Sequence, residues 1–109
     1  MIKSLRARVR LAIKNNSKSD NTKALIGCDI EYLKLHLESQ FKEGMTMDNY
    51  GLNGWEIDHI RPCASFDLTD EQQQRECFHY TNLQPLWADE NRKKSSIWGN
   101  EYYEMGGKR

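Results

Sequence analysis

The sequence has only two prolines and three cysteines in 109 residues, and no cysteine belongs to a CxxC pair. An odd count without close pairs argues against a disulfide framework. Cys28, Cys63 and Cys77 read as small buried residues. The alternative is a structural zinc site drawn from Cys63, Cys77, His79 and either Cys28 or His36, although such sites usually arrive as close-spaced pairs. No apolar run approaches the roughly 20 residues that a membrane helix needs. The opening MIKSLRARVR scatters charge and lacks the apolar stretch of a signal peptide, so the expected location is cytoplasmic. An excess of one charge sign is also missing, with 16 basic and 16 acidic residues.

That balance hides an asymmetry. Up to Gly27 there are seven basic residues against Asp20 alone. From Cys28 to Asn91 there are four basic and thirteen acidic residues, and from Arg92 onward five basic and two acidic. Positive ends around an acidic middle suit a polyanionic partner, and a solvated basic helix is the plainer account. Mean hydropathy is −0.87, yet three Trp, five Tyr and three Phe argue against disorder. One domain is expected over residues 1–109.

Periodicity divides the chain into a helical first part, 1–54, a platform, 55–96, and a tail, 97–109. Leu5, Val9 and Ala12/Ile13 repeat at helical spacing within Ser4 to Lys14, interleaved with Arg6, Arg8, Arg10 and Lys14. A short helix is expected from Thr22 to near Gly27, which suits a C-cap. Asp29 then caps a helix to about Lys42, with Ile30, Leu33, Leu37 and Phe41 as its apolar stripe. Trp55 to Ile60 alternates as a strand closed by Pro62, with His59 on one face and Asp58 on the other. Both can serve one site only if the strand ends or bends there. Thr69 and Gln72 have capping-box spacing for a helix from Asp70 to about Cys77. HYTNLQPLW reads as extended or turning at Pro85, and Ala88 or Asp89 opens a last helix through Asn91 and Lys94. The end of the tail, with Gly106 and Gly107, reads as loosely ordered. The fold class is α+β.

Three motifs stand in order: D-H-I-x-P at Asp58 to Pro62, N-L-Q-x-L at Asn82 to Leu86, and N-x-x-K at Asn91 to Lys94. Together they resemble the HNH endonuclease family, and the flanking sequence is similar to small standalone HNH proteins of phages and viruses. The family letters fall on His59, Asn82 and Asn91, which is the H-N-N variant. The resemblance implies a ββα-metal motif within 55–96 and a metal-dependent DNA endonuclease. It implies that Asp58 and Asn91 hold one ion, that His59 is the general base, and that Asn82 ties the loop to the backbone and holds His59.

The residue types fit that chemistry. Phosphodiester hydrolysis needs a base for the attacking water and positive charge on the phosphate. An imidazole titrates near neutrality. Two oxygen ligands suit Mg²⁺, with Mn²⁺ or another divalent ion as substitutes. Arg6, Arg8, Arg10, Lys14, Arg61, His79 and Lys94 are the candidate nucleic-acid contacts. His36, Trp55, Phe78 and Trp87 read as packing residues, and Trp98, Tyr102 and Tyr103 as possible base contacts in the tail. One metal site cuts one strand, so a monomer nicks and a homodimer can break both. Two other classes compete with the nuclease: a degenerate platform that docks nucleic acid without cutting it, and a zinc-stapled interaction domain.

Overall fold

Helical spacing of apolar residues builds the first half of the protein. In the computed structural model, which describes residues 2–51, 53–94, 97–98, 101–104 and 107–108, helix α1 spans Ile2–Asn15. Its Leu5, Val9, Ala12 and Ile13 are buried, while the basic residues between them stay exposed. Helix α2 spans Asp20–Ile26, capped by Ser19 and closed by Gly27 at φ 78°, a left-handed turn that glycine adopts without strain. A Cβ at Gly27 would also meet the His79 ring at 2.5 Å. Helix α3, Ile30–Glu38, starts at Asp29, whose carboxylate accepts from the Tyr32 N–H at 2.9 Å.

Helix α3 ends four residues earlier than the apolar stripe suggested. The Ser39 hydroxyl and the Gln40 amide both donate to the His36 carbonyl, at 2.7 and 3.2 Å, in place of a continuing helix. The stripe still packs, since Ile30, Leu33 and Leu37 are at most 1% exposed and Phe41 lies against the Trp55 ring.

Strand β1, Trp55–His59, pairs antiparallel with strand β2, Leu83–Trp87, in the register Trp55↔Trp87 to His59↔Leu83. Pro85 falls within β2, opposite Ile57. A two-stranded sheet leaves each outer edge without a ladder, so the N–H that proline lacks is not needed there. Between the strands lies helix α4, Glu71–Phe78. Its cap is Asp70, not Thr69 as the spacing suggested. Both the N–H and the hydroxyl of Thr69 bond Asp67 Oδ1, at 3.1 and 2.6 Å, so Asp70 accepts from Gln72 instead. Helix α5, Ala88–Lys94, follows β2 directly, and the Ala88 N–H bonds the Gly54 carbonyl at 2.8 Å.

The result is a small α+β fold. Helices α1 and α3 and the α2–α4 pair enclose a core that includes Ile26, Trp55, Phe78 and Leu83, each at most 1% exposed. The Trp55 indole donates to the Thr46 carbonyl, which anchors the turn-rich stretch before β1. The end of the tail, expected to be loosely ordered, lies partly outside the described residues. The described backbone of the tail forms three short antiparallel strands, β3 (Ile97–Trp98), β4 (Glu101–Glu104) and β5 (Gly107–Lys108). Gly106 lies outside the described residues, as do the side chains of Trp98, Tyr102 and Tyr103.

Leu33 sits at 0% exposure, where removing its side chain leaves a cavity that helices can only partly close. Leu33→Ala is expected to cost about 2–5 kcal/mol in urea unfolding. A loss under about 1 kcal/mol would show that the helical layer adapts to the missing volume.

Candidate functional site

The site begins where β1 stops. Ile60 makes the last backbone bond to the partner segment, its N–H to the Asn82 carbonyl at 2.8 Å. The Asn82 side chain then takes over. Its Oδ1 accepts from the Arg61 N–H at 2.9 Å, and its Nδ2 donates to the carbonyls of Arg61 and Cys77 at 3.1 and 2.9 Å. One amide thus joins the exit of β1 to the end of α4 and the entry of β2. The strand ends at His59, so Asp58 and His59 stand at its terminus with side chains to opposite sides.

On one side, Glu56 and Asp58 share a strand face over α5. Asn91 and Lys94 are three residues apart on that helix, so they meet this face together. Asn91 Nδ2 donates to Glu56 Oε1 at 3.0 Å. Lys94 Nζ lies 3.1 Å from each carboxylate oxygen of Asp58 and donates to the His59 carbonyl at 2.8 Å. Gln84 Nε2 completes the shell of Asp58 at 2.8 Å. Asp58 is only 5% exposed, and a carboxylate so buried requires these donors.

On the other side, His59 is 6% exposed and packs edge-on against the Phe78 ring at 4.7 Å. Its Nε2 is buried without a hydrogen-bond partner among the described residues. Cys63 and Cys77 flank it, and ligating atoms of the three residues lie within 4.8 Å of one another. The two sulfurs are 3.0 Å apart. The hydrogen bond from Cys77, with a further contribution from His59, holds the Cys63 thiol well below its ordinary range. The same bond, together with burial, pushes the Cys77 thiol up.

A cleft of about 500 Å³ opens beside this strand end. Arg6, Arg10 and Lys14 line it together with Glu56, His59 and Asn91. The three cations recur every four residues on α1 and so share one helix face. Asn91 and Asp58, the two residues expected to hold one ion, are each engaged by a different partner. Arg8 is exposed and does not line the cleft. Arg61 donates to the Ser65 hydroxyl and carbonyl and lies 4.1 Å over the Phe66 ring. His79 bonds Thr81 and lines a separate hollow with Arg75 and Glu76. His36 Nε2 is 3.3 Å from the Leu83 carbonyl, which binds α3 to β2.

Sequence reasoning missed two participants, Glu56 and Gln84, and grouped two others with a different histidine. Glu56 carried a signal, since it is two residues before Asp58 and must share its face. Gln84 is a letter of the N-L-Q-x-L motif, but its place opposite Asp58 depends on strand register. Cys63 and Cys77 were grouped with His79 as a zinc alternative, whereas the fold gathers them around His59.

Two proteins of Acanthamoeba polyphaga mimivirus, both described as uncharacterised, are similar to this chain. One is 49% identical over 72 residues, which is 66% of this chain and 31% of the relative. The other is 40% identical over 91 residues, which is 84% of this chain and 40% of the relative. The chain thus spans well under half the length of each. No family model matches it, and no solved structure does.

The Asp58–Lys94 pair is open to a direct measurement. Lys94→Met leaves a buried carboxylate with Gln84 as its remaining side-chain donor among the described residues. The expected cost is about 1–3 kcal/mol, toward the low side of a fully buried pair because Lys94 is partly exposed. In a double-mutant cycle with Asp58→Asn, the urea-unfolding data should give a favourable coupling of at least about 1 kcal/mol. A coupling of zero would mean that the pair adds nothing to stability.

Proposed function

We propose that this chain is a metal-dependent DNA endonuclease of the HNH type, in its H-N-N form. The observation that carries the reading is one cleft lined by His59, Glu56 and Asn91 together with Arg6, Arg10 and Lys14. Two antiparallel strands followed at once by a helix support a ββα-metal motif, with Asp58 and His59 on the first strand and Asn91 on the helix. The viral source of the two relatives is compatible with this reading and adds no chemistry to it.

The donors on the α5 side of β1 suit a hard divalent cation. Glu56 and Asp58 offer carboxylates and Asn91 an amide oxygen, all oxygen ligands of the type that Mg²⁺ or Mn²⁺ prefers. Asp58 already requires a cation beside it, and the Lys94 ammonium meets that requirement. Asp58 and Asn91 are the residues that would hold the ion, which when bound supplies positive charge to the scissile phosphate and its leaving oxygen. Lys94 would then be released toward a phosphate.

The chain's own residues perform the remaining tasks. His59, which leaves the end of β1 on the side opposite Asp58, would take the proton of the attacking water, and its Nε2 has no hydrogen-bond partner among the described residues. Asn82 positions the turn that ends β1 and so sets where His59 stands. Arg6, Arg10 and Lys14 bind backbone phosphates without reading sequence. One such site cuts one strand, so the monomer nicks.

The neutralised Asp58 favours a second reading, in which the platform docks nucleic acid without cutting it. Supercoiled plasmid separates the two. Nicking that needs Mg²⁺ or Mn²⁺ and stops with chelator is expected. His59→Ala should slow it by about 10² to 10⁴ while DNA affinity holds. DNA binding with no nicking in any divalent ion leaves only the docking platform.

The cleft wall makes a separate prediction. Replacing Arg6, Arg10 and Lys14 together by Gln should weaken binding to every DNA sequence. It should also flatten the slope of log K against log salt by up to about 3, near 0.9 for each lost phosphate contact. Arg8→Gln should change the slope less. Equal effects of Arg8 and the cleft residues would place the DNA elsewhere on α1.

A further inference from the structure

We propose that His59, Cys63 and Cys77 form a second metal site, one that takes a thiophilic divalent cation of the zinc class. Three observations carry it. One nitrogen and two sulfurs converge with their ligating atoms within 4.8 Å of one another. All three residues are buried, His59 at 6% and the cysteines at no more than 1% exposure. The His59 Nε2 is buried and has no hydrogen-bond partner among the described residues, which a fold seldom leaves without a reason.

The geometry is close to what such an ion needs. Zinc bonds sulfur at about 2.3 Å and imidazole nitrogen at about 2.0 Å, so ligand atoms around a tetrahedral ion lie roughly 3.3–3.8 Å apart. The sulfurs are 3.0 Å apart and need to separate by less than about 1 Å. Three protein ligands leave the fourth position to water or an anion. Thiolates select Zn²⁺ over Mg²⁺, whereas the oxygen donors Glu56, Asp58 and Asn91 on the other side of β1 select the reverse. Adjacent residues on one strand thus offer two sites of opposite chemical preference.

Occupancy here has a consequence that rests on the nuclease reading. An imidazole nitrogen bound to zinc has no lone pair left for a proton, so a zinc-class ion at this site switches off the general base. The binding itself does not depend on that reading.

Cobalt is the probe. Reduced, full-length protein titrated with Co²⁺ should bind one ion per chain and develop the near-ultraviolet charge-transfer band of thiolate–cobalt bonds, and Zn²⁺ should abolish the band. Cys28→Ala should retain it, Cys63→Ala/Cys77→Ala should lose it, and His59→Ala should need more cobalt to saturate. Should the double variant fail to fold, the wild type still decides, because Zn²⁺ must raise its urea midpoint. The proposal is overturned by an absent thiolate band, by a band that survives the double cysteine variant, or by a Cys63–Cys77 disulfide that persists under reduction. Zn²⁺ should also slow Mg²⁺-dependent nicking by the wild type and leave the double variant's rate unchanged. If neither protein nicks while the cobalt band appears as expected, the nuclease reading fails and the metal site stands.

Discussion

A carboxylate held at 5% exposure is the constraint around which this structure is arranged. Asp58 must be met by donors or be neutralised, and three elements supply what it needs. β1 carries it, β2 brings Gln84, and α5 brings Lys94. Because Lys94 also donates to the His59 carbonyl, the contact that neutralises the acid fixes the backbone of the next residue. The two strands and the helix are therefore locked at the point where the chemistry is expected, and the tightness follows from desolvation.

The alternation of a strand divides the roles on either side of that point. Residues at 56 and 58 face α5 and present oxygen, while residue 59 faces α4 and meets two sulfurs. Proximity in sequence thus produces separation in chemical character. Asn82 makes the division workable. By bonding the backbone of Arg61 and Cys77 it stops the strand after His59 and holds the end of α4 beside it.

The basic helix matters through its phase. Arg6, Arg10 and Lys14 lie on the cleft because Leu5, Val9, Ala12 and Ile13 are buried against the core and fix the rotation of α1. Arg8, between them in sequence, is turned away by the same packing. Charge counts alone treat all four as equivalent, whereas burial of the apolar residues separates them.

Local pattern by itself determined much of this protein. Helical spacing located α1 to α3, alternation located β1, and Asp29 and Gly27 acted as the caps their chemistry suggests. Local competition shifted two boundaries: Ser39 and Gln40 ended α3 early, and Thr69 turned to Asp67. The order and spacing of the acid–histidine pair, Asn82 and Asn91 are one-dimensional facts, open to reading before any fold is known. What only tertiary structure decided are the pairings across distance. Gln84 and Lys94 meet Asp58 from 26 and 36 residues away, Asn91 turns to Glu56, and Cys63 and Cys77 close on His59 and not on His79. Each depends on strand register and helix rotation, which are set by burying side chains from the whole chain at once, and no stretch of sequence carries that information alone.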